Sequence, residues 1–125
     1  MLTSRYDEAF QYAHGLHRVQ RRKGTPIPYI SHLMAVSALV VEHGGDEDQA
    51  IAGLLHDAVE DQGGLETLEE IRRRFGDGVA AIVWDCTDAW EEPKPNWRTR
   101  KDAYLAGLPK KPARSLLVSL ADKTH

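Results

Sequence analysis

The stretch Ala50-Ile51-Ala52-Gly53-Leu54-Leu55 gives a helix no polar side. A helix that is apolar all round has to be buried, so this segment belongs at the centre and the rest of the chain must wrap it. The remaining sequence is patterned for that task. Tyr6, Ala9, Phe10, Ala13 and Leu16 recur at helical spacing and predict a first helix over about residues 5–21. Gly24-Thr25-Pro26-Ile27-Pro28 breaks it. A second helix is expected over about 30–43, stopped by Gly44-Gly45. Asp46 with Gln49 reads as a capping box opening the central helix, about 47–59, and Gly63-Gly64 closes that region. Thr67 with Glu70 reads as a second capping box, for a short helix ending at Phe75. Beyond Gly76-Asp77-Gly78, helices are expected over about 79–87, 97–108 and 113–122, separated by proline-bearing stretches. The β-branched residues do not alternate, so no strand is expected. The fold class is all-α, about seven helices around one core.

At 125 residues the chain is one domain's length. With 42% hydrophobic and 28% charged residues it is composed like a globular protein, and at a net charge of −3 it has no bulk attraction for nucleic acid or an anionic membrane. The single cysteine, Cys86, excludes a disulfide framework and favours a reducing compartment. Met1-Leu2-Thr3-Ser4-Arg5 leads into helix-like sequence without an apolar leader core, and no apolar run approaches the roughly 20 residues of a membrane span. The expected location is cytoplasmic.

The chemistry gathers at the end of the central helix. His56, Asp57, Glu60 and Asp61 fall within two turns, where residues three or four apart share a face. Carboxylates crowded beside an imidazole at a buried helix end repel each other and resist desolvation, and a divalent cation relieves both. An exposed helix end with solvated charges satisfies the same sequence. His32, at the start of the second helix, and Asp122, on the apolar last helix, stand alone on core-like segments. Such a residue alone is usually a hydrogen-bonded core group.

Taken together, His32, His56-Asp57 and Asp122 resemble the H…HD…D pattern of the HD-domain metal-dependent phosphohydrolases. Further stretches resemble the RelA/SpoT-type hydrolase domain within that family, close to the small stand-alone alarmone hydrolases. These are His17-Arg18-Val19-Gln20-Arg21-Arg22-Lys23-Gly24, Pro28-Tyr29-Ile30-Ser31-His32, Gly53 to Asp61, Phe75-Gly76-Asp77-Gly78-Val79, Thr87-Asp88 and Ser119 to Lys123. The resemblance implies a single HD domain over 1–125, lacking the C-terminal helix or helices with which members usually continue. It implies His32, His56, Asp57 and Asp122 as ligands of one divalent metal. It implies Glu60 and Asp61 as the pair that orients or deprotonates the attacking water, and Arg22 and Lys23 as nucleotide contacts. A mixed imidazole and carboxylate set suits Mn²⁺ first, with Fe²⁺, Zn²⁺, Co²⁺, Ni²⁺ or Mg²⁺ as alternatives.

The activity so implied is removal of the 3′-pyrophosphate of guanosine tetra- or pentaphosphate. Two other readings share the motif: a phosphatase acting on nucleoside monophosphates or a nicotinamide dinucleotide phosphate, and a catalytically silent HD module that binds a nucleotide or a partner. The expected partner is a nucleotide, with no nucleic acid and no membrane, and a homo-oligomer is compatible. Arg98, Arg100, Lys101, Lys110, Lys111 and Arg114 form a basic stretch that reads as a solvated face. Trp97 and Tyr104 read as core. His14, His17 and His43 receive no metal role.

Overall fold

The computed structural model describes residues 2–87 and 113–125. Seven helices are found among them: α1 (Ser4–Leu16), α2 (Ile30–Glu42), α3 (Glu47–Leu55), α4 (Ala58–Asp61), α5 (Leu65–Phe75), α6 (Asp77–Cys86) and α7 (Ala113–Thr124). The described residues contain no strand, only an isolated antiparallel bridge between Arg21 and Pro28. None of these helices is long and apolar enough to cross a membrane. The helix expected over 97–108, the irregular stretch before it, and Arg98, Arg100, Lys101, Lys110, Lys111, Trp97 and Tyr104 lie outside the described residues.

The central position expected for the apolar stretch is observed. Every residue from Gln49 to Leu55 is buried, and α3 packs against α1, α2, α6 and α7. Its start is the capping box read from the sequence: Asp46 accepts from the Gln49 N–H while the Gln49 side chain accepts from the Asp46 N–H. Leu33, Val36 and Val40 from α2, Ile71 and Phe75 from α5, Val79 and Val83 from α6 and Val118 from α7 close over it in one continuous core.

Three expectations need correction. The first helix stops at Leu16, not near residue 21. Beyond Leu16 there is no apolar stripe to bury, and Val19 is 91% exposed. The central helix does not run through to Val59. It ends at Leu55, and α4 begins only at Ala58. The ring of His56 donates from Nδ1 to the Gly53 carbonyl (2.8 Å), the acceptor a continuing helix would offer to the Asp57 N–H. Thr67 caps nothing. The fifth helix starts two residues earlier, after Gly64 at φ 66°, and the Thr67 hydroxyl donates back to the Gln62 carbonyl.

The approach of α2 to α3 is set at one glycine. A Cβ on Gly53 would lie 3.1 Å from Ser37 Cα and 3.3 Å from its amide nitrogen, both backbone atoms that cannot swing away. Around this contact Ser37 Oγ donates to the Ala50 carbonyl (2.8 Å), so the Tyr6 hydroxyl must donate to Ser37 Oγ (2.6 Å), tying α1, α2 and α3 together. Gly53→Ala raises helix propensity by about 1 kcal/mol. It is nevertheless expected to destabilise by about 1–3 kcal/mol, because two backbones must part in a close-packed core. Urea unfolding measures the net sign.

Candidate metal centre

Four of the side chains singled out in the sequence meet at one point. His32 sits in the first turn of α2, His56 caps the end of α3, Asp57 precedes α4, and Asp122 lies in the last turns of α7. Each offers one ligand atom, and the four atoms lie within 4.8 Å of one another. His32 Nε2 is 2.8 Å from Asp122 Oδ1, and His56 Nε2 is 3.0 Å from both Asp122 Oδ1 and Asp57 Oδ2. Both imidazoles are buried, and their ring centroids are 5.6 Å apart in an edge-on arrangement.

The His56 hydrogen bonds show what the cluster demands. A carbonyl can only accept, so the bond to Gly53 puts the proton on Nδ1. Nε2 of the neutral ring is then a lone pair facing two carboxylate oxygens, three acceptors in a site where the ring is 1% exposed. Such an arrangement is stable only around a positive charge, either a proton on Nε2 or a metal cation among the three. In the protein without metal the proton supplies it. Burial alone would lower the His56 pKa, but its bonds to Asp122 and Asp57 hold it well above the ordinary imidazole value. Burial likewise opposes ionisation of Asp57, yet the His56 bond and charge and the Tyr29 hydroxyl keep its carboxyl below the usual range. The bonds from His32 and His56 hold Asp122 lower still, against a smaller opposing effect of burial. A histidine that donates one nitrogen to a backbone carbonyl and aims the other at carboxylates is oriented as a metal ligand is. The donor set therefore fits a divalent ion.

Tyr29 was not singled out in the sequence. Its ring lies between His17 (5.2 Å) and His32 (5.6 Å), and its hydroxyl donates to Asp57 Oδ2. Burial and then the Asp57 charge push its phenol well above its ordinary pKa, so it remains a donor. The signal was present in the spacing, since Tyr29 precedes His32 by three residues, one helical turn. Tyr29→Phe is expected to weaken divalent-metal binding about 10–100-fold, the usual loss when a ligand's hydrogen-bond partner is removed. Titration of the metal-free protein with Mn²⁺ against a competing chelator reads this.

The remaining candidates surround the cluster. Glu60 and Asp61 are exposed on α4, and the Asp61 N–H donates to the Asp57 carbonyl (3.0 Å), placing it one turn from that carboxylate. Gln20 Nε2 donates to Asp61 Oδ2 at 3.2 Å. Arg22 reaches the rim, its NH1 3.3 Å from His32 Nδ1 and 3.0 Å from His125 Nδ1. The His125 ring lies beside His32 and was also missed in the sequence. Lys23 is exposed in the adjoining turn. Among the other histidines, His14 is exposed, His43 bonds the Leu39 carbonyl, and His17 is buried against Tyr29 and Gln20. Arg114 forms ion pairs with Asp46 at 2.6 Å and Asp48 at 3.9 Å at the start of α3.

The model of the HD domain family matches residues 9–125. The guanosine-3′,5′-bis(diphosphate) 3′-pyrophosphohydrolase MESH1 of Xenopus tropicalis is 39% identical over 121 residues, covering 94% of this chain and 65% of that protein. A probable guanosine-3′,5′-bis(diphosphate) 3′-pyrophosphohydrolase of Synechocystis is 37% identical over 125 residues, covering 94% of this chain and 15% of that protein. The chain thus spans less than two thirds of the length of either curated relative. Among solved structures, a metazoan ortholog of SpoT described as hydrolysing ppGpp superposes with a TM-score of 0.78 at 33% identity, covering 98% of this chain and 68% of that one. With a family model spanning nearly all of its length, and that solved relative matched over two thirds of its own, the chain belongs to the HD-domain family, in its RelA/SpoT-like hydrolase group.

Proposed function

We propose that this chain hydrolyses the 3′-pyrophosphate of guanosine tetra- or pentaphosphate and releases pyrophosphate. An HD domain implies a divalent metal, and the His32, His56, Asp57 and Asp122 cluster fits one. Mn²⁺ is the proposed ion, and these four residues are its proposed ligands. The observation that supports the reading is His56 Nε2 held 3.0 Å from two carboxylate oxygens while Nδ1 is spent on the Gly53 carbonyl, an arrangement that needs a positive charge, which a proton supplies without metal and a divalent ion would supply in its place. The substrate is inferred from the activities named for the relatives. A divalent ion there supplies Lewis acidity to a phosphoryl oxygen and to the attacking water.

The chain's own residues do the rest. Asp61 and Glu60, exposed one turn beyond the ligand pair, orient the water and take its proton. The Arg22 guanidinium, already at the edge of the cluster, meets the phosphates by charge-assisted hydrogen bonds, and Lys23 adds a second positive charge in the same turn. The proposed unit is one HD domain acting on a nucleotide in the cytoplasm.

Incubation of the protein with Mn²⁺ and a nucleotide panel tests this. Pyrophosphate release from ppGpp is the expected result. Turnover of a nucleoside monophosphate or a nicotinamide dinucleotide phosphate, with none of ppGpp, overturns the substrate and keeps the reaction class. Binding of a nucleotide without turnover of any overturns the enzyme reading.

A further inference from the structure

We propose that Gln20 is a positioning residue for the Asp61 carboxylate, held in a single orientation by the buried ring of His17. The proposal rests on the reading of Asp61 as a water-handling group. Gln20 lies in the turn after α1, and three side chains converge on its amide. Nε2 donates to Asp61 Oδ2 at 3.2 Å, while Oε1 faces His17 Nδ1 at 2.7 Å and Gln62 Nε2 at 2.8 Å.

These contacts admit one assignment. A carboxylate only accepts, so the amide NH₂ must face Asp61 and the amide oxygen must face His17. His17 Nδ1 is therefore the protonated nitrogen. Its Nε2 is then a buried lone pair with no hydrogen-bond partner, in a ring that is 1% exposed. An unmatched polar atom in the interior is a cost that an apolar side chain at residue 17 would avoid. What the imidazole provides in return is a donor fixed on Gln20 by a rigid, buried ring.

Asp61 needs such a tie. Helix α4 is four residues long, too short to hold an exposed side chain through its own hydrogen bonds, and no side chain caps its start. Gln20 grips both Asp61 and the next residue, Gln62, from outside the helix. It also accepts the Tyr29 N–H on its backbone carbonyl (2.9 Å), and the Tyr29 hydroxyl reaches Asp57. One residue thus registers the water-handling carboxylate with the arm that supports the ligand pair. With Oδ2 engaged by the amide, Oδ1 is the oxygen turned to the water.

The test uses the full chain with Mn²⁺ and ppGpp, reading kcat and KM per folded molecule, with melting temperature measured alongside. Gln20→Glu keeps an acceptor for His17 and Gln62 and removes the donor to Asp61. It is expected to lower kcat about tenfold with KM within about twofold, and to melt somewhat lower because two carboxylates then face each other. Gln20→Met removes both ends of the amide at constant length and is expected to match that kcat loss while melting lower. In an Asp61→Asn background, Gln20→Glu is expected to cause no further loss of kcat, because the group it positions is gone. Wild-type kcat in both Gln20 variants overturns the proposal, as does a rise in KM with kcat unchanged. A fully active Asp61→Asn overturns instead the reading of Asp61, and the proposal falls with it. An impaired Asp61→Asn beside a normal Gln20→Glu overturns the positioning role alone.

Discussion

His56→Ala is expected to yield a protein that folds but retains no stoichiometric divalent metal and loses more than about a hundredfold in activity. That loss exceeds what removal of a partner behind a ligand costs, because here a proposed ligand itself goes. Among the described residues, the ring is the only group that brings a nitrogen within 3.0 Å of both Asp57 and Asp122. Without it the two carboxylates keep only the His32 contact to Asp122 and the Tyr29 hydroxyl on Asp57 among the bonds described, and the Gly53 carbonyl loses its donor. Deleting a ring that is 1% exposed also leaves a cavity, worth about 2–4 kcal/mol. Elemental analysis after Mn²⁺ loading, with far-UV circular dichroism for folding and Asp57→Ala as a second ligand variant, checks the expectation. A variant with one equivalent of metal and wild-type turnover would show that the cluster is not the metal site.

The second large effect is a reversal of pH dependence on metal binding. In the metal-free protein His56 has a raised pKa. Its contribution to stability is complete below the ordinary imidazole value of about 6.5 and is lost as pH rises through the folded-state value. Asp57 and Asp122 are depressed. Their contributions are present above the ordinary carboxylate value of about 4 and are lost as pH falls through their folded-state values. Asp122 contributes less than its shift suggests, since its side chain is 38% exposed and screened by solvent. The metal-free protein should therefore melt highest between about pH 4 and 6.5 and soften above that. A divalent ion competes with the proton on His56 Nε2, so its affinity should rise about tenfold per pH unit until the raised His56 value is passed. The melting-temperature increment from Mn²⁺ should then grow through the alkaline range where the metal-free protein weakens. Thermal melts across pH with chelator and with Mn²⁺ read both arms. An increment that is flat with pH would remove His56 as a ligand.

The helical framework was legible because its signals are local. The all-round apolar stretch at Ala50 to Leu55, the Asp46–Gln49 capping box and the Gly44-Gly45 stop each found their place. The convergence of His32, His56, Asp57 and Asp122 was legible only through the family pattern, because spacing within a helix says nothing about which helices meet. The break at His56 was hidden, since no glycine or proline marks it and its cause is a side chain bonding to its own helix. The end of α1 was hidden for a different reason. The basic run from Arg18 to Lys23 suits a helix, but only tertiary packing reveals that nothing is buried beneath Val19. Tyr29 and Gln20 were given no role of their own because each acts through a contact with a segment distant in sequence, and His17, given no metal role, acts through Gln20.

The backbone contact at Gly53 bears on more than stability. One imidazole rides on the helix of Ser37 and the other on the helix of Gly53, so the gauge between these two rails fixes how far apart the nitrogen donors stand. Widening that gauge, as Gly53→Ala would, is therefore expected to alter the preference of the proposed site among divalent ions of different radius.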